Sequence, residues 1–323
     1  MKLCVLANLY GKLTLDETLA KLAPLGVEAV ELGAGGYPGK NQCNPELLLS
    51  DSKAFDTFMG TFKKYGIEPA ALACHGNAVH PNKEIAKGFD TDFRNAVLLA
   101  EKIGIDTVIG FSGCPGDSPT GIYPNWVTCP WPDDFLAVLK YQWDEVLVPY
   151  WKEMSAFCKN HGVRVAFEMH PGFCVYNPET LLKLRELAGN NLGANLDPSH
   201  LIWQGMDLTA VIRCLGKNDA LYHFHAKDTK IDPINTALNG VLDTKHYGDE
   251  INRSWVFRAL GYGNDVKFWR DIVSNLRLVG YDGVLSIEHE DSLMSIDEGL
   301  SKAVGVLKEA IMSDPKPSTM SWA

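Results

Sequence analysis

The chain alternates between short apolar segments and longer amphipathic segments along its whole length. Most of the apolar segments are hydrophobic on both alternating faces, which is typical of parallel strands that helices cover on both sides. We predict a β-strand at each of eight segments: 3–8, 29–34, 70–76, 107–113, 163–170, 192–197, 221–228 and 283–290.

The segments between these strands carry helical signals. In the first of them, Leu15, Leu19 and Leu22 recur at helical spacing, and Gly26 follows them. Others begin with acidic residues and end with lysine and glycine. The charges suit the helix dipole, and the glycine suits the left-handed conformation that commonly follows the last turn of a helix. We predict helices over 15–26, 51–66, 90–104, 178–189 and 265–280.

Eight strand–helix units without a break in composition predict an α/β protein. The expected fold is a single (β/α)8 TIM barrel over residues 1–323 with a C-terminal tail of about ten residues. The alternative is a doubly wound open sheet, but no GxGxxG motif follows the first strand, which disfavours dinucleotide binding. Two loops are enlarged: 114–134 after strand 4 and 229–261 after strand 7. Such loops are often functional lids, and the alternative is a plain surface excursion.

Composition narrows the class of protein. The formal net charge of −10, without a stripe of lysine and arginine, disfavours a nucleic-acid partner. Eight scattered cysteines without a CxxC pair suit a reducing cytoplasm. No stretch reaches the roughly 18 apolar residues of a membrane span, and the N-terminal run is typical of a strand rather than a signal peptide. We expect a cytoplasmic protein without a membrane partner. The sequence leaves open whether the chain forms a homo-oligomer.

Polar residues gather at the carboxyl ends of the predicted strands, where TIM barrels build their active sites. They are Glu31, His75, Glu168, His170, Asp197, His200, His223, His225, Lys227, Asp228, Glu288, His289 and Glu290. Strand alternation puts His223 and His225 on one face, with Phe224 opposite.

Acids on strands 5, 6 and 8 and a histidine on strand 7 would repel one another at the barrel mouth unless a cation lay among them. This oxygen-rich set favours Mn²⁺ or Mg²⁺, with Co²⁺ and Zn²⁺ as alternatives. Singly, each acid could instead cap a helix or pair with a lysine, and His75, His170 and His289 could be hydrogen-bonded bystanders.

Four motifs carry a resemblance to a known family: AFEMH (166–170), LDPSH (196–200), HFHAKD (223–228) and LSIEHED (285–291). In this order they resemble the xylose isomerase-like TIM barrels, the sugar phosphate isomerases and epimerases that include the ketose 3-epimerases. Apurinic endonucleases belong to the same superfamily. The resemblance covers most of the chain in layout and roughly residues 160–290 in motif detail.

The resemblance implies a sugar isomerase or epimerase with one divalent metal ion, Mn²⁺ first. Its metal ligands would be Glu168, Asp197, His225 and Glu288. Glu168 and Glu288 would also act as the acid/base pair that removes and returns a proton beside a carbonyl, while the metal stabilises the enediolate.

Further residues would contact a sugar or keto-sugar. His200 is the first of them, and the others are His75, His170, Lys227, Asp228, Glu31 and Trp126. Trp126 could stack on a sugar face, and an equal alternative is that it packs the loop.

The sequence also departs from the ketose 3-epimerases. They carry an arginine six residues after the ligating histidine, where this chain has Ile231. The departure and the enlarged loops favour a larger keto-sugar, such as a 3-keto-glycoside or an inositol-derived ketone.

Three other functions stay open. The first is a lyase or dehydratase that uses the same proton abstraction for β-elimination. The second is an apurinic endonuclease with three zinc ions: His75 resembles one extra ligand, but strand 4 ends in FSGCPG without a second. The third is a non-catalytic sugar-binding barrel, disfavoured because all four matched ligands are present.

Overall fold

The eight predicted segments form a closed barrel of parallel strands in the computed structural model, which describes residues 1–315. The predicted TIM barrel is therefore confirmed. A further pair of strands, β8 and β9, lies outside it. In chain order the strands are β1 (Lys2–Leu6), β2 (Ala29–Gly33), β3 (Glu68–Ala73), β4 (Thr107–Gly110), β5 (Arg164–Glu168), β6 (Leu192–Leu196), β7 (Leu221–Ala226), β8 (Asp228–Ile231), β9 (Trp255–Arg258) and β10 (Val284–Ile287).

Twelve α-helices are present in the described part of the chain. They are α1 (Leu15–Leu22), α2 (Pro45–Ser50), α3 (Ser52–Tyr65), α4 (Lys83–Ile103), α5 (Asp134–Tyr141), α6 (Val148–Asn160), α7 (Pro178–Ala188), α8 (Pro198–Ile202), α9 (Leu208–Lys217), α10 (Pro233–Asn239), α11 (Val266–Leu278) and α12 (Ile296–Ala310). A π-helical turn, Gln142–Leu147, joins α5 to α6.

Each predicted helix exists, but one begins earlier than predicted. Helix α4 starts at Lys83 instead of residue 90 because the side chain of Asn82 accepts hydrogen bonds from the backbone N–H groups of Glu84 and Ile85. An asparagine in this position supplies the acceptor that the first helical turn lacks. The acidic residues near position 90 therefore lie inside the helix.

The strand register brings polar residues to one level of the barrel. Glu168 on β5 pairs with Asn195 on β6, and Ser286 on β10 pairs with His225 on β7. Ser286 also pairs with Cys4 on β1, which closes the barrel. Because all eight strands are parallel, their carboxyl ends open onto the same face.

The enlarged segment after β7 contains regular structure that the sequence did not predict. Strands β8 and β9 pair antiparallel, with Asp228 opposite Arg258, and α10 lies between them. We call residues 228–258 the hairpin insertion. Asp228 accepts hydrogen bonds from the backbone N–H groups of Gly261, Gly263 and Asn264. These contacts fix the insertion at the mouth of the barrel.

Two observations concern the expectations drawn from cysteine content and hydrophobicity. All eight cysteines are free thiols. Within residues 1–315, no helix is both long enough and apolar enough to cross a bilayer. Most of the predicted C-terminal tail, residues 316–323, lies outside the described residues.

Candidate active site and metal centre

Four side chains converge at the carboxyl ends of β5, β6, β7 and β10. Glu168, Asp197, His225 and Glu288 each offer one ligand atom, and these atoms all lie within 4.8 Å of one another. His225 Nδ1 is 3.3 Å from Glu168 Oε2 and 3.1 Å from Glu288 Oε2. The first three side chains are buried, while Glu288 is partly open to the cavity.

The hydrogen bonds of this cluster fit a divalent cation. His225 Nε2 donates to the Glu31 carboxylate at 2.9 and 3.0 Å, so Nδ1 faces the other acids. Within the described residues, His225 Nδ1 and Asp197 Oδ2 are buried and make no hydrogen bond, although Lys227 Nζ and His200 Nε2 lie 3.1 and 3.2 Å from Asp197 Oδ2. Burying unpaired polar atoms is unfavourable, and a cation that accepts their lone pairs removes the penalty.

Protonation of His225 is the alternative when no cation is bound. Burial disfavours the imidazolium, but the charges of Glu31 and Glu288 and the close contacts with the carboxylates of Glu168 and Glu288 outweigh it and raise the pKa of His225 well above its usual value. A proton on Nδ1 and a metal ion at Nδ1 are thus mutually exclusive. Metal binding to such a histidine releases the proton.

Glu31, on β2, is a buried neighbour of this cluster. Its Oε2 accepts hydrogen bonds from His223 at 3.0 Å, His225 at 2.9 Å and Ser286 at 2.8 Å. Burial alone would raise the pKa of Glu31, but the two histidines lower it well below its usual range. Glu31 has no exposed surface and does not line the cavity, and its carboxylate contacts the buried ring of His225.

Lys227 stands beside the four ligands. Its Nζ is 2.9 Å from Glu290 Oε2, 3.0 Å from Glu288 Oε2 and 3.1 Å from Asp197 Oδ2. Only 2% of the residue is exposed. Burial disfavours the ammonium, but the charges of Asp197 and the two glutamates outweigh it and raise the pKa of Lys227. The lysine therefore remains charged and lines the cavity.

Three histidines surround Glu168. His75 Nε2 and His200 Nε2 each lie 3.0 Å from its carboxylate. Burial would lower the pKa of His200, but the charge of Asp197 outweighs it and raises this pKa to about 9. The ring of His170 lies 4.0 Å from that of His200. Burial and the neighbouring His200 lower the pKa of His170 to about 3, so it is neutral at pH 7. With Glu168, His170 and His200 form a second group able to hold an ion.

A cavity of about 540 Å³ opens above these groups. Of the residues predicted from the sequence, six line it: His75, Glu168, His170, His200, Lys227 and Glu288. Asp197 and His225 are buried and absent from the lining. Three predicted substrate contacts are absent from the lining. Glu31 is buried against His223 and His225, Asp228 binds the backbone of Asn264, and Trp126 packs edge-on against Tyr176 with ring centroids 5.5 Å apart.

Comparison with known proteins identifies the family of this chain. The xylose isomerase-like TIM barrel family matches residues 19–310. The chain belongs to this family. The uncharacterized protein YfiH of Bacillus subtilis (strain 168) is 36% identical over 314 residues, which span 96% of this chain and 99% of YfiH.

Solved structures of the xylose isomerase-like TIM barrel type share the fold at lower identity. The IOLI protein with a zinc atom has a TM-score of 0.65 at 20% identity, and the match covers 96% of this chain and 99% of that one. A D-tagatose 3-epimerase-like protein has a TM-score of 0.64 at 18% identity, covering 96% and 98%. The probable 3-DHS dehydratase AsbF of Bacillus anthracis has 0.63 at 16%, covering 95% and 99%.

Part of the cavity wall was missed from the sequence. Tyr247, Arg253 and Phe257 of the hairpin insertion line the cavity, as does Phe111 after β4. Phe111 stacks on Phe173 with ring centroids 4.1 Å apart. The sequence did contain a signal for this part of the wall, since the enlarged segment places an arginine between aromatic residues. The local sequence does not show, however, that these side chains fold back over the barrel.

Proposed function

We propose that this family member is a divalent-metal-dependent sugar isomerase or epimerase that moves a proton next to a carbonyl. The observation that carries the proposal is the cluster of four candidate ligand residues, whose ligand atoms lie within 4.8 Å of one another, next to a cavity of about 540 Å³. In this cluster, the buried atoms His225 Nδ1 and Asp197 Oδ2 make no hydrogen bond in the described part of the chain. Mn²⁺ is our first candidate because carboxylates dominate the donor set. The ion would polarise the substrate carbonyl and stabilise the negative charge that develops on its oxygen.

The two glutamates are the proposed acid/base pair. Glu168 and Glu288 both line the cavity and both approach His225 Nδ1, at 3.3 and 3.1 Å. Burial opposes their ionisation, but the histidines around Glu168, and Lys227 and His225 near Glu288, lower their pKa values. Both are therefore ionised at pH 7, so either one can accept a proton while the other, once protonated, returns one.

The remaining polar lining suits a substrate rich in hydroxyl groups. His170 is neutral at pH 7 and can donate or accept a hydrogen bond, whereas protonated His200 can only donate. Phe111 and Phe257 add apolar faces, which suit the C–H side of a sugar. We therefore propose His75, His170, His200 and Lys227 as the substrate-binding set.

Metal content is the first test. Asp197 and Asp207 each cap a helix through a side-chain oxygen, so Asp197→Asn and Asp207→Asn both keep a cap and remove one charge. Because Asp207 is exposed and outside the cluster, its variant is a matched control. After loading with Mn²⁺ and dialysis, we expect one ion per chain in the wild type and in Asp207→Asn, and loss of the ion in Asp197→Asn.

Two other metal counts contradict the proposal. Three zinc ions per chain would favour the endonuclease alternative. An absence of bound metal after reconstitution with Mn²⁺, Mg²⁺, Co²⁺ and Zn²⁺ would favour a non-catalytic sugar-binding barrel.

Proton exchange is the second test. The metal-loaded protein is incubated with a panel of keto-sugars in D₂O and followed by NMR. We expect deuterium at the carbon beside the carbonyl and a new epimer or isomer, both lost in Glu168→Gln and Glu288→Gln. Exchange that survives in both variants contradicts the assigned roles.

β-Elimination from a keto-sugar is the second candidate. It begins with the same proton abstraction, and Lys227 offers a buried ammonium 3.0 Å from Glu288 that can protonate a leaving hydroxyl. The likeness to a protein named as a probable dehydratase supports its inclusion. The products discriminate: an unsaturated ketone that absorbs in the ultraviolet, with release of water or an aglycone, supports elimination.

A further inference from the structure

Arg253 is a buried guanidinium in the cavity wall without an acidic partner. The residue lies in the hairpin insertion just before β9, is 2% exposed and lines the cavity. Within residues 1–315, no carboxylate oxygen lies within 4.0 Å of its nitrogens, whereas nearby Arg258 is paired with Asp291 at 2.9 Å. Asp243 is close enough for the charge of Arg253 to act on it, but the two make no direct ion pair. A buried guanidinium without a direct ion pair is unfavourable, so this arginine favours a ligand that carries the opposite charge.

The guanidinium is held in one orientation. Nε donates to the carbonyl of Trp255 at 3.1 Å, and Nη1 donates to the carbonyl of Lys245. The rings of Tyr247 and Trp255 each have their centroid 4.5 Å from the guanidinium carbon. Nη2 makes no hydrogen bond in the described part of the chain. A fork fixed in this way loses little freedom on binding a ligand, which favours affinity.

The other charges of the cavity wall are already matched. Lys227 is paired with Glu290 at 2.9 Å, and Glu168 and Glu288 belong to the proposed metal cluster. Asp243, near the arginine in the insertion, is engaged by the backbone N–H of Ser254 and by Lys245. Among the described cavity-lining cations, Lys227 and protonated His200 contact carboxylates directly, whereas Arg253 does not.

We propose that Arg253 binds an oxyanion of the substrate, a carboxylate or a phosphate, while the substrate carbonyl is bound at the metal cluster. This inference rests on the proposed function and narrows it to acidic or phosphorylated sugars. A neutral sugar could accept a hydrogen bond from Nη2 but would leave the buried charge unmatched. Arginine is well suited to this task because its planar donors match carboxylate and phosphate oxygens.

The test compares three ligands with the same six-carbon chain: D-glucitol, D-gluconate and D-glucitol 6-phosphate. Binding to the Mn²⁺-loaded protein is measured by calorimetry and needs no turnover. We expect one of the anions to bind at least tenfold more tightly than D-glucitol, and the tighter anion identifies a carboxylate or a phosphate site. Equal binding of all three ligands to the wild type overturns the proposal.

Two variants locate the effect. Arg253→Met removes the guanidinium and is expected to reduce the preference for the anion to less than twofold. Lys230→Met removes a positive charge from an exposed position on β8 of the same insertion and should keep the preference. A preference that survives in Arg253→Met would place the anion on the metal instead and overturns the proposal.

Folding and the proposed function are checked separately. Circular dichroism and metal content show whether Arg253→Met is folded and loaded. If Arg253→Met does not fold, Arg253→Lys is used instead, because lysine keeps the positive charge without the planar guanidinium. We expect Arg253→Lys to prefer the anion still but to bind it at least threefold more weakly than the wild type. Unchanged anion binding overturns the proposal. Failure of the proposed function would instead appear as wild-type protein that binds no metal.

Discussion

Replacing Glu31 with glutamine tests how the proposed metal ligand His225 is oriented. The wild-type carboxylate offers two oxygens to His225 Nε2, at 2.9 and 3.0 Å, and Oε2 also accepts from Ser286. If the amide oxygen of the glutamine still accepts the hydrogen bond from Ser286, the amide nitrogen takes the place of Glu31 Oε1. Its N–H groups then point toward His225 Nε2. The histidine is then favoured with its proton on Nδ1, the atom that faces the metal cluster.

The expected effect is a loss of metal affinity. A hydrogen bond to a charged group contributes about 1.5–3 kcal/mol, and each 1.4 kcal/mol is tenfold in affinity. Groups that orient a ligating histidine typically change metal affinity about 10- to 100-fold. We expect Glu31→Gln to weaken Mn²⁺ binding within that range. Ser286→Ala, which removes one donor from Glu31 but leaves its contact with His225, should have a smaller effect.

The assay is calorimetric titration of chelator-treated protein with Mn²⁺. NMR of the histidine ring nitrogens then reports which nitrogen carries the proton in the metal-free state. Glu28→Gln is the matched control, because Glu28 is exposed and its bond to the backbone N–H of Leu3 needs only one oxygen. A folded Glu31→Gln protein that binds Mn²⁺ as tightly as the wild type would refute the orienting role.

Three further predictions follow from the packing. Lys227→Met should destabilise the metal-free protein by about 3 kcal/mol, because it leaves buried carboxylates without a counter-charge; Mn²⁺ should raise the variant's Tm more than that of the wild type, and an equal rise contradicts this. Gly36 has φ +61°, and a Cβ there would lie 1.9 Å from the carbonyl oxygen of His75. Gly36→Ala should therefore lower the free energy of unfolding, measured in urea, by more than about 2 kcal/mol. An unchanged urea midpoint would contradict this. In the native protein a thiol reagent should label exposed Cys129 first, since burial raises the pKa of thiols such as Cys43 to about 12; a Cys129→Ser variant that keeps the fast phase would contradict this assignment.

The barrel was predictable because its signals are local. Each strand is a continuous apolar run, and parallel strands necessarily bring their carboxyl ends to one face. The positions of Glu168, Asp197 and Glu288 at those ends could therefore be inferred from the sequence alone. Nothing local predicted β8 and β9, because their pairing joins short segments more than 20 residues apart and depends on the barrel beneath them.

Strand parity separates two neighbouring residues that the sequence analysis grouped together. Side chains alternate along a strand, so His225 and Lys227 point to the cavity side, whereas Asp228 has the opposite parity. Asp228 accordingly binds the backbone of residues 261–264. Glu31 could not be assigned in this way. Its partner His223 lies 192 residues away, and only the closed barrel shows that its carboxylate is used beneath the cavity.

The structure divides the candidate site between two parts of the chain with different roles. The barrel strands supply the proposed metal ligands and proton-transfer groups, whereas the hairpin insertion supplies Tyr247, Arg253 and Phe257 to the cavity wall. Asp228, the first residue of the insertion, binds the backbone of residues 261–264, which follow the insertion in the chain. We expect substrate choice to depend on the insertion, and a ligand panel built around anionic groups tests this part of the cavity wall.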